Sequence, residues 1–350
     1  MRSGSAALQL LCAALAIAGV PRSSAAAPAA PAGHGQHWQF ACNHPQTGLA
    51  TLILSPANGS YTVFIGATAG HRVALPSAPY RILHGGRWHN SSAGGKQGLT
   101  LLAATARTGT DPQGPFDAVD LHWSTQPSAA TTAGASWVTT FRCYNGSGTV
   151  VFAQSFPDGL SDQPGGLRDF NVPSTAFPAF GASVPTDSLN VVTFSGQNAA
   201  ETTQVGMWPA KGGYEGGPVA FFMPGDLEQG VCVISPLSQF MATLMGHIGS
   251  DSAFGLGGLV HSVPAGFTVD FVLSCSVPPA ASAPAADLFA GLMTHAWMEW
   301  GDTLLREYSQ QRTAPDASPW ISQLGYSTTG VFHCESCLSS CLILSHPVVS

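Results

Sequence analysis

Charge is what this sequence has least of. Only 9% of its 350 residues are charged, with 12 Lys and Arg against 19 Asp and Glu and a formal net charge of -7. Nucleic-acid phosphates demand clustered cations. No basic run occurs here, so a nucleic-acid partner is excluded. Long apolar runs are missing as well: Ala6–Val20 is too short for a membrane span and is followed at once by Pro21. No Gly-x-Ser-x-Gly elbow is present, which leaves a serine hydrolase without support, and no His-x-x-x-His pair offers a helical metal site. The glycine loop Gly212–Gly217 lacks the Lys-Ser/Thr that a phosphate cradle needs, so it reads as a turn. No repeat of fixed period is visible.

What is present is apolar and rich in turns. Hydrophobic residues make up 45% of the chain, with 40 Gly and 26 Pro, a balance that suits a β protein with a sizeable core. Arg2, the apolar run and the small residues Ser24–Ala27 together read as a secretory signal peptide over 1–27. A plastid transit peptide is the alternative. The Ala/Pro/Gly stretch 28–37 reads as a flexible linker.

Three sequons, Asn58-Gly-Ser60, Asn90-Ser-Ser92 and Asn145-Gly-Ser147, agree with secretion as glycosylation sites. Two of them sit where strand patterns meet. Thr51–Ser55 leads through Pro56–Gly59 to Tyr61–Ile65, and Trp137–Tyr144 leads through Asn145–Gly148 to Thr149–Gln154. Asn-Gly supplies the backbone angles a tight hairpin needs, and β-branched and aromatic residues fill the flanks. Val191–Phe194, Pro218–Met223, Val231–Ser235 and Phe267–Ser274 read as further strands, with Ser238–His247 as a short helix or ordered connection. Many short strands separated by turns predict a mainly β fold, a large antiparallel sandwich over 38–280.

A helix follows. Leu288, Leu292, Met293, Ala296, Trp300 and Leu304 recur at helical spacing within 281–319, with Asp287 as a candidate N-cap and Pro315 beyond the end. Then come Trp320–Leu324 and a strand-like Gly325–His333. Here the chain resembles a known family. Trp300-Gly-Asp-Thr-Leu-Leu305, Leu324-Gly-Tyr-Ser-Thr-Thr-Gly330, Phe152-Ala-Gln-Ser-Phe-Pro-Asp-Gly159, Ile234–Ala242 and Gly258–Phe267 are similar to segments of the raffinose synthase and alkaline α-galactosidase type. The resemblance implies a front β-sandwich, a linker helix and the start of a catalytic (β/α)8 barrel at 320–333, acting on α-galactosides. It makes Tyr326 and Thr328 the substrate-side candidates, although residence in the strand is the plainer role for both. Where relatives carry Asp-Asn-Gly and a run of tyrosines, this chain has Thr328-Thr-Gly330-Val-Phe-His. The segment 334–350 bears no such resemblance and reads as sequence run past an intron boundary or frame change.

Glycoside chemistry needs two carboxylates flanking the bond, and in the family these lie on later barrel strands. The pairs Asp117/Asp120, Asp158/Asp162 and Asp226/Glu228 read as loop or surface groups, and Glu299/Asp302 as flanks of the helix's apolar stripe. No residue is therefore nominated as catalytic, and the chain alone is expected to be inactive. Its alternative is a free-standing carbohydrate-binding or interaction module. Trp38, Trp88, Trp123 and Trp208 suit a sugar-stacking platform, but core packing is the stronger reading.

Cys42, Cys143, Cys232 and Cys275 lie in or beside expected strands, where four cysteines allow three connectivities. Order along the chain suggests Cys42–Cys143 with Cys232–Cys275. Cys334, Cys337 and Cys341 lie near His333 and His346 but lack a second ligand pair at zinc spacing, so no metal or other cofactor is expected.

Overall fold

The computed structural model describes residues 37–44, 48–65, 73–125, 134–160, 172–181, 189–193, 204–207, 217–222, 230–276 and 285–312. The expected signal peptide, most of the linker after it, the barrel start with Tyr326 and Thr328, and the cysteine tail lie outside these residues, as does Trp208.

The strands begin with β1 (Trp38–His44), β2 (Gly48–Leu54), β3 (Tyr61–Ile65) and β4 (Val73–Pro76), which pair in that order as a four-stranded antiparallel sheet. Next come β5 (Arg81–His84), β6 (Arg87–Asn90), β7 (Leu99–Asp111), β8 (Gly114–Thr125), β9 (Ser136–Tyr144) and β10 (Thr149–Phe156). Short strands follow, β11 (Thr175–Ala176), β12 (Ala179–Phe180), β13 (Asn190–Thr193), β14 (Gln204–Met207) and β15 (Val219–Phe222). The last are β16 (Val231–Pro236), β17 (Thr243–Ile248), β18 (Asp251–Leu256) and β19 (Phe267–Ser276), ahead of helix α1 (Ala285–Glu307). Nine of them form one large sheet, in the order β14-β13-β15-β16-β19-β10-β9-β8-β7. Two three-stranded sheets, β11-β5-β6 and β12-β18-β17, complete the described architecture.

Period-two alternation decides which side of the large sheet each residue serves. Phe141, Cys143, Val150, Phe152, Phe271, Leu273, Val219 and Phe221 point into the core shared with β1–β4, where Leu52, Tyr61, Val63 and Leu75 meet them. Their immediate neighbours Tyr144, Val151, Val272, Ala220 and Phe222 face the other way. That outer side is covered by α1, through buried Leu292 and Ala296 and the half-buried Met293, Trp297, Trp300 and Leu304. The core itself is aromatic at its centre. The Tyr61 ring meets Phe141 at 5.0 Å, and Tyr80 stacks on Phe177 at 5.4 Å. The two buried hydroxyls find carbonyl partners, Tyr61 on Ala179 at 2.9 Å and Tyr80 on Gly59 at 2.7 Å.

Two disulfides tie this frame, Cys42–Cys143 between the two main sheets and Cys232–Cys275 between directly paired residues of β16 and β19. This is the pairing that chain order suggested. Both expected Asn-Gly hairpins form, β2–β3 and β9–β10, and β15–β16 pair as read.

Several expectations are corrected. Within Ser238–His247 only a single 3-10 turn, Phe240–Ala242, is helical, and Thr243–Ile248 is a strand paired with β18. Asp117 and Asp120 lie inside β8 rather than in a loop. Asp287 is the third residue of α1, not its cap. Trp123 is a core side chain, 2% exposed, whose indole N–H donates to Thr139 Oγ1 at 2.9 Å, so it belongs to no exposed sugar platform. No helix among the described residues is long and apolar enough to cross a membrane.

Candidate functional site

An open concavity lies where α1 meets the end of the large sheet. Tyr144, at the end of β9, lines it, and an ion-pair group stands behind that residue. Arg142 on β9 bridges two carboxylates, Asp111 at 3.0 Å and Asp270 at 2.9 Å. The Tyr144 hydroxyl, two residues along on the same face, donates to Asp111 at 2.5 Å. Burial pushes the Asp270 carboxyl up, with Arg142 pulling against it. Burial raises the Tyr144 phenol too, and its bond to Asp111 raises it further, so the phenol stays protonated as a donor. Burial also works against the charge of Arg142, but its anionic neighbours outweigh that and hold it protonated.

Asp111 also shapes the tip of the β7–β8 hairpin. Its carboxylate accepts the backbone N–H of Gln113 at 2.9 Å, and Gly114 follows at φ +118°, a value that favours glycine. The tip then reaches the helix. Gln113 donates to the Thr303 carbonyl at 2.7 Å and to Glu307 at 3.2 Å, and accepts from Arg306 at 3.1 Å. Further along α1, Glu299 accepts from the Ser276 hydroxyl and pairs with His295 at 3.2 Å. Trp300 donates to Ser235 at 2.8 Å.

Between these walls is an open cleft of about 440 Å³. Gln113 and Pro115 form one side, and Glu299, Asp302, Thr303 and Arg306 of α1 a second. The β9–β10 turn, Asn145, Gly146 and Ser147, forms the third. The lining mixes carboxylates, amides, hydroxyls and one guanidinium, which suits a ligand carrying many hydroxyl groups. It does not suit glycoside cleavage. A catalytic pair must flank the scissile bond, whereas Glu299 and Asp302 share one wall, and Asp302 already pairs with Arg312 at 2.7 Å.

Other sequence candidates fall elsewhere. Asn58 borders a second concavity, of about 230 Å³, together with Tyr80, Ser77 and Ser92 of the Asn90 sequon. Asp120 is held by Arg107 at 2.7 Å and Thr140 at 2.7 Å. Asp158 lies in the turn after β10, while Asp162, Asp226 and Glu228 lie outside the described residues. His84 and His89 are buried on the β5–β6 hairpin with ring centroids 6.3 Å apart, and His122 is exposed on β8. Among the described residues no group of three or more His, Cys, Asp or Glu is placed to hold a metal. Sequence reading missed Gln113, Tyr144, Thr303 and Arg306 as cleft residues. The turn Asp111-Pro-Gln-Gly114 was the one local signal available.

No family model and no curated protein matches the chain. Among solved structures it is similar to glycoside hydrolase family 97 enzymes from Pseudoalteromonas sp. strain K8. One of these, carrying an E480Q substitution, is in complex with panose and shares 12% identity at a TM-score of 0.40. Another is in complex with acarbose and shares 13% identity at a TM-score of 0.39. Each match covers 65% of this chain and 34% of the other, so the chain spans about a third of the length of those enzymes. Likeness at this level assigns neither family nor activity.

Proposed function

We propose that this chain supplies the supporting β-sandwich and linker helix of a secretory-pathway protein of the raffinose synthase and α-galactosidase type. In this reading α-galactosides are the substrates of the whole protein, and the catalytic carboxylates belong to barrel strands that follow the helix. The start of that barrel is the segment 320–333, with Tyr326 and Thr328 on its substrate side.

The observation that supports it best is the use made of the carboxylates. Asp111, Asp120, Asp251, Asp270, Glu299 and Asp302 each engage Arg or His, and Glu299 and Asp302 stand on one wall of the cleft. A supporting domain uses its acids in this way. The docking of α1 across the outer side of the sheet is consistent with the same role.

The test is an aryl α-galactoside assay on the secreted chain, paired with long-read sequencing of its transcript across codons 332–334. Absence of turnover, with messages that continue into barrel sequence, is the expected result. Turnover that Glu299→Gln abolishes would overturn the supporting role. Messages that all end at codon 350, with tight binding of free oligosaccharide, would favour a free-standing carbohydrate-binding module.

A further inference from the structure

The three sequons are held in two different ways. At Asn58 the carboxamide oxygen accepts both the N–H and the hydroxyl of Ser60, at 3.0 and 2.8 Å. At Asn90 it does the same with Ser92, at 2.8 and 2.9 Å. Asn145 forms no such closed pair: the hydroxyl of its Ser147 is buried with no hydrogen-bond partner among the described residues. Asn145 itself is exposed, so its carboxamide is left open to carry a group. Asn145 and Ser147 both line the cleft under α1.

We infer that this cleft is the seat of the N-glycan attached at Asn145, whose first N-acetylglucosamine units fold back against α1 and clasp the helix to the sandwich. The inference rests on the secretory part of the function proposed above. Attachment forms a bond from Asn145 Nδ2 to C1 of the first sugar. A membrane oligosaccharyltransferase supplies the glycan as a polyprenyl diphosphate ester, the diphosphate leaves, and Nδ2 gives up one proton.

Size, chemistry and position agree. The volume of about 440 Å³ is in the range of small-ligand sites. The sugar's hydroxyls can donate to Glu299 and Asp302, and its acetamide carbonyl can accept from Arg306. Because the glycan is covalently tethered at the rim, its effective concentration in the cleft is about millimolar, so weak individual contacts suffice. The helix benefits most at this point. Its fully buried apolar anchors Leu292 and Ala296 lie in earlier turns, whereas from Glu299 to Arg306 the half-buried Trp300 and Leu304 share the hold with polar contacts to Ser276 and Gln113.

The test uses the full chain secreted from a eukaryotic host that adds untrimmed high-mannose glycans. Glycopeptide mass spectrometry first reads occupancy. No glycan at any sequon sinks the secretory routing, while occupancy at Asn58 and Asn90 without Asn145 overturns this proposal alone. Amide hydrogen exchange over 299–306 is then compared between the parent and the variants Asn145→Gln and Asn58→Gln. Exchange roughly tenfold faster in Asn145→Gln, with Asn58→Gln unchanged, is the expected result. Equal exchange in all three overturns the proposal. If Asn145→Gln fails to reach the medium, the parent's glycans are removed after folding with a peptide amidase, and the same acceleration is expected. Free N,N′-diacetylchitobiose that slows exchange in Asn145→Gln, while the attached glycan gives the parent no protection, would also overturn it, by making the cleft a site for free sugar.

Discussion

The side-chain amide of Gln113 donates to the main-chain carbonyl of Thr303 at 2.7 Å, joining a hairpin tip to a helix 190 residues later in the chain. The same amide's oxygen accepts from Arg306. Gln113→Ala removes these contacts and the bond to Glu307, and is expected to destabilise the protein by about 1–2 kcal/mol. Denaturant midpoints at unchanged slope read this directly. A variant as stable as the parent would mean that the hairpin tip does not brace the helix.

The two disulfides differ in the loops they close. Cys42–Cys143 spans 101 residues and Cys232–Cys275 spans 43. Chain entropy predicts that losing the longer loop costs roughly 0.8 kcal/mol more. The longer one also joins two sheets, whereas the shorter joins strands already paired by backbone. Thermal unfolding of Cys42→Ser/Cys143→Ser against Cys232→Ser/Cys275→Ser should show the larger drop in the first pair. The reverse order would assign the main stabilisation to the β16–β19 link.

Burial, and then the nearby His84, push the His89 imidazole below its ordinary value. The unfolded chain takes up that proton near pH 6.5, about the ordinary value for histidine, while the folded protein resists it. This contribution to stability is therefore complete above that pH and is lost as pH falls toward the depressed folded value. His89→Gln is expected to flatten the fall of unfolding free energy on the acid side of about pH 6.5, whatever it does to the absolute stability. Parallel pH profiles for parent and variant would remove His89 from the account.

Two glycines should respond to alanine with opposite signs. A Cβ at Gly255 would lie 2.0 Å from the Thr175 carbonyl oxygen, which is backbone and cannot step aside. Gly255→Ala is expected to cost about 3 kcal/mol by overpacking. At Gly291, inside α1, nothing lies within 4 Å of the added carbon. Gly291→Ala is expected to gain up to about 1 kcal/mol of helix propensity. Calorimetric unfolding of both variants checks the pair.

The parts of the fold that were legible in sequence are those with a local cause. Asn58-Gly59 and Asn145-Gly146 announce their hairpins because the turns place Gly59 at φ +74° and Gly146 at φ +110°. The apolar stripe of α1 was legible for a similar reason, since one side of the helix packs on the sheet from Leu292 to Leu304. By contrast β7 went unread. It is the edge of the large sheet and, Leu99 apart, only exposed or half-buried, so Leu99–Asp111 carries no clean alternation. A bulge between Leu101 and Ala103 breaks what alternation there is. β17 was hidden by Gly246, which interrupts its apolar pattern. The cleft was out of reach for another reason. Pairing of β7 to β10 gathers Gln113, Tyr144 and Ser147, the docking of α1 adds Glu299, and no spacing in the chain encodes that meeting.

The large sheet works as a wall shared by two interiors. In β10 and β19 a residue that does not meet the aromatic core meets the helix side instead, as Val151 and Val272 do beside Phe152 and Leu273. Such strands have no permissive side on which neutral change can accumulate. The tolerant positions lie at the sheet's rim, along β7, where Thr100, Leu102 and Thr105 face solvent. Surface redesign, tags or labelling handles are best placed there, because the middle strands answer to two neighbours at once.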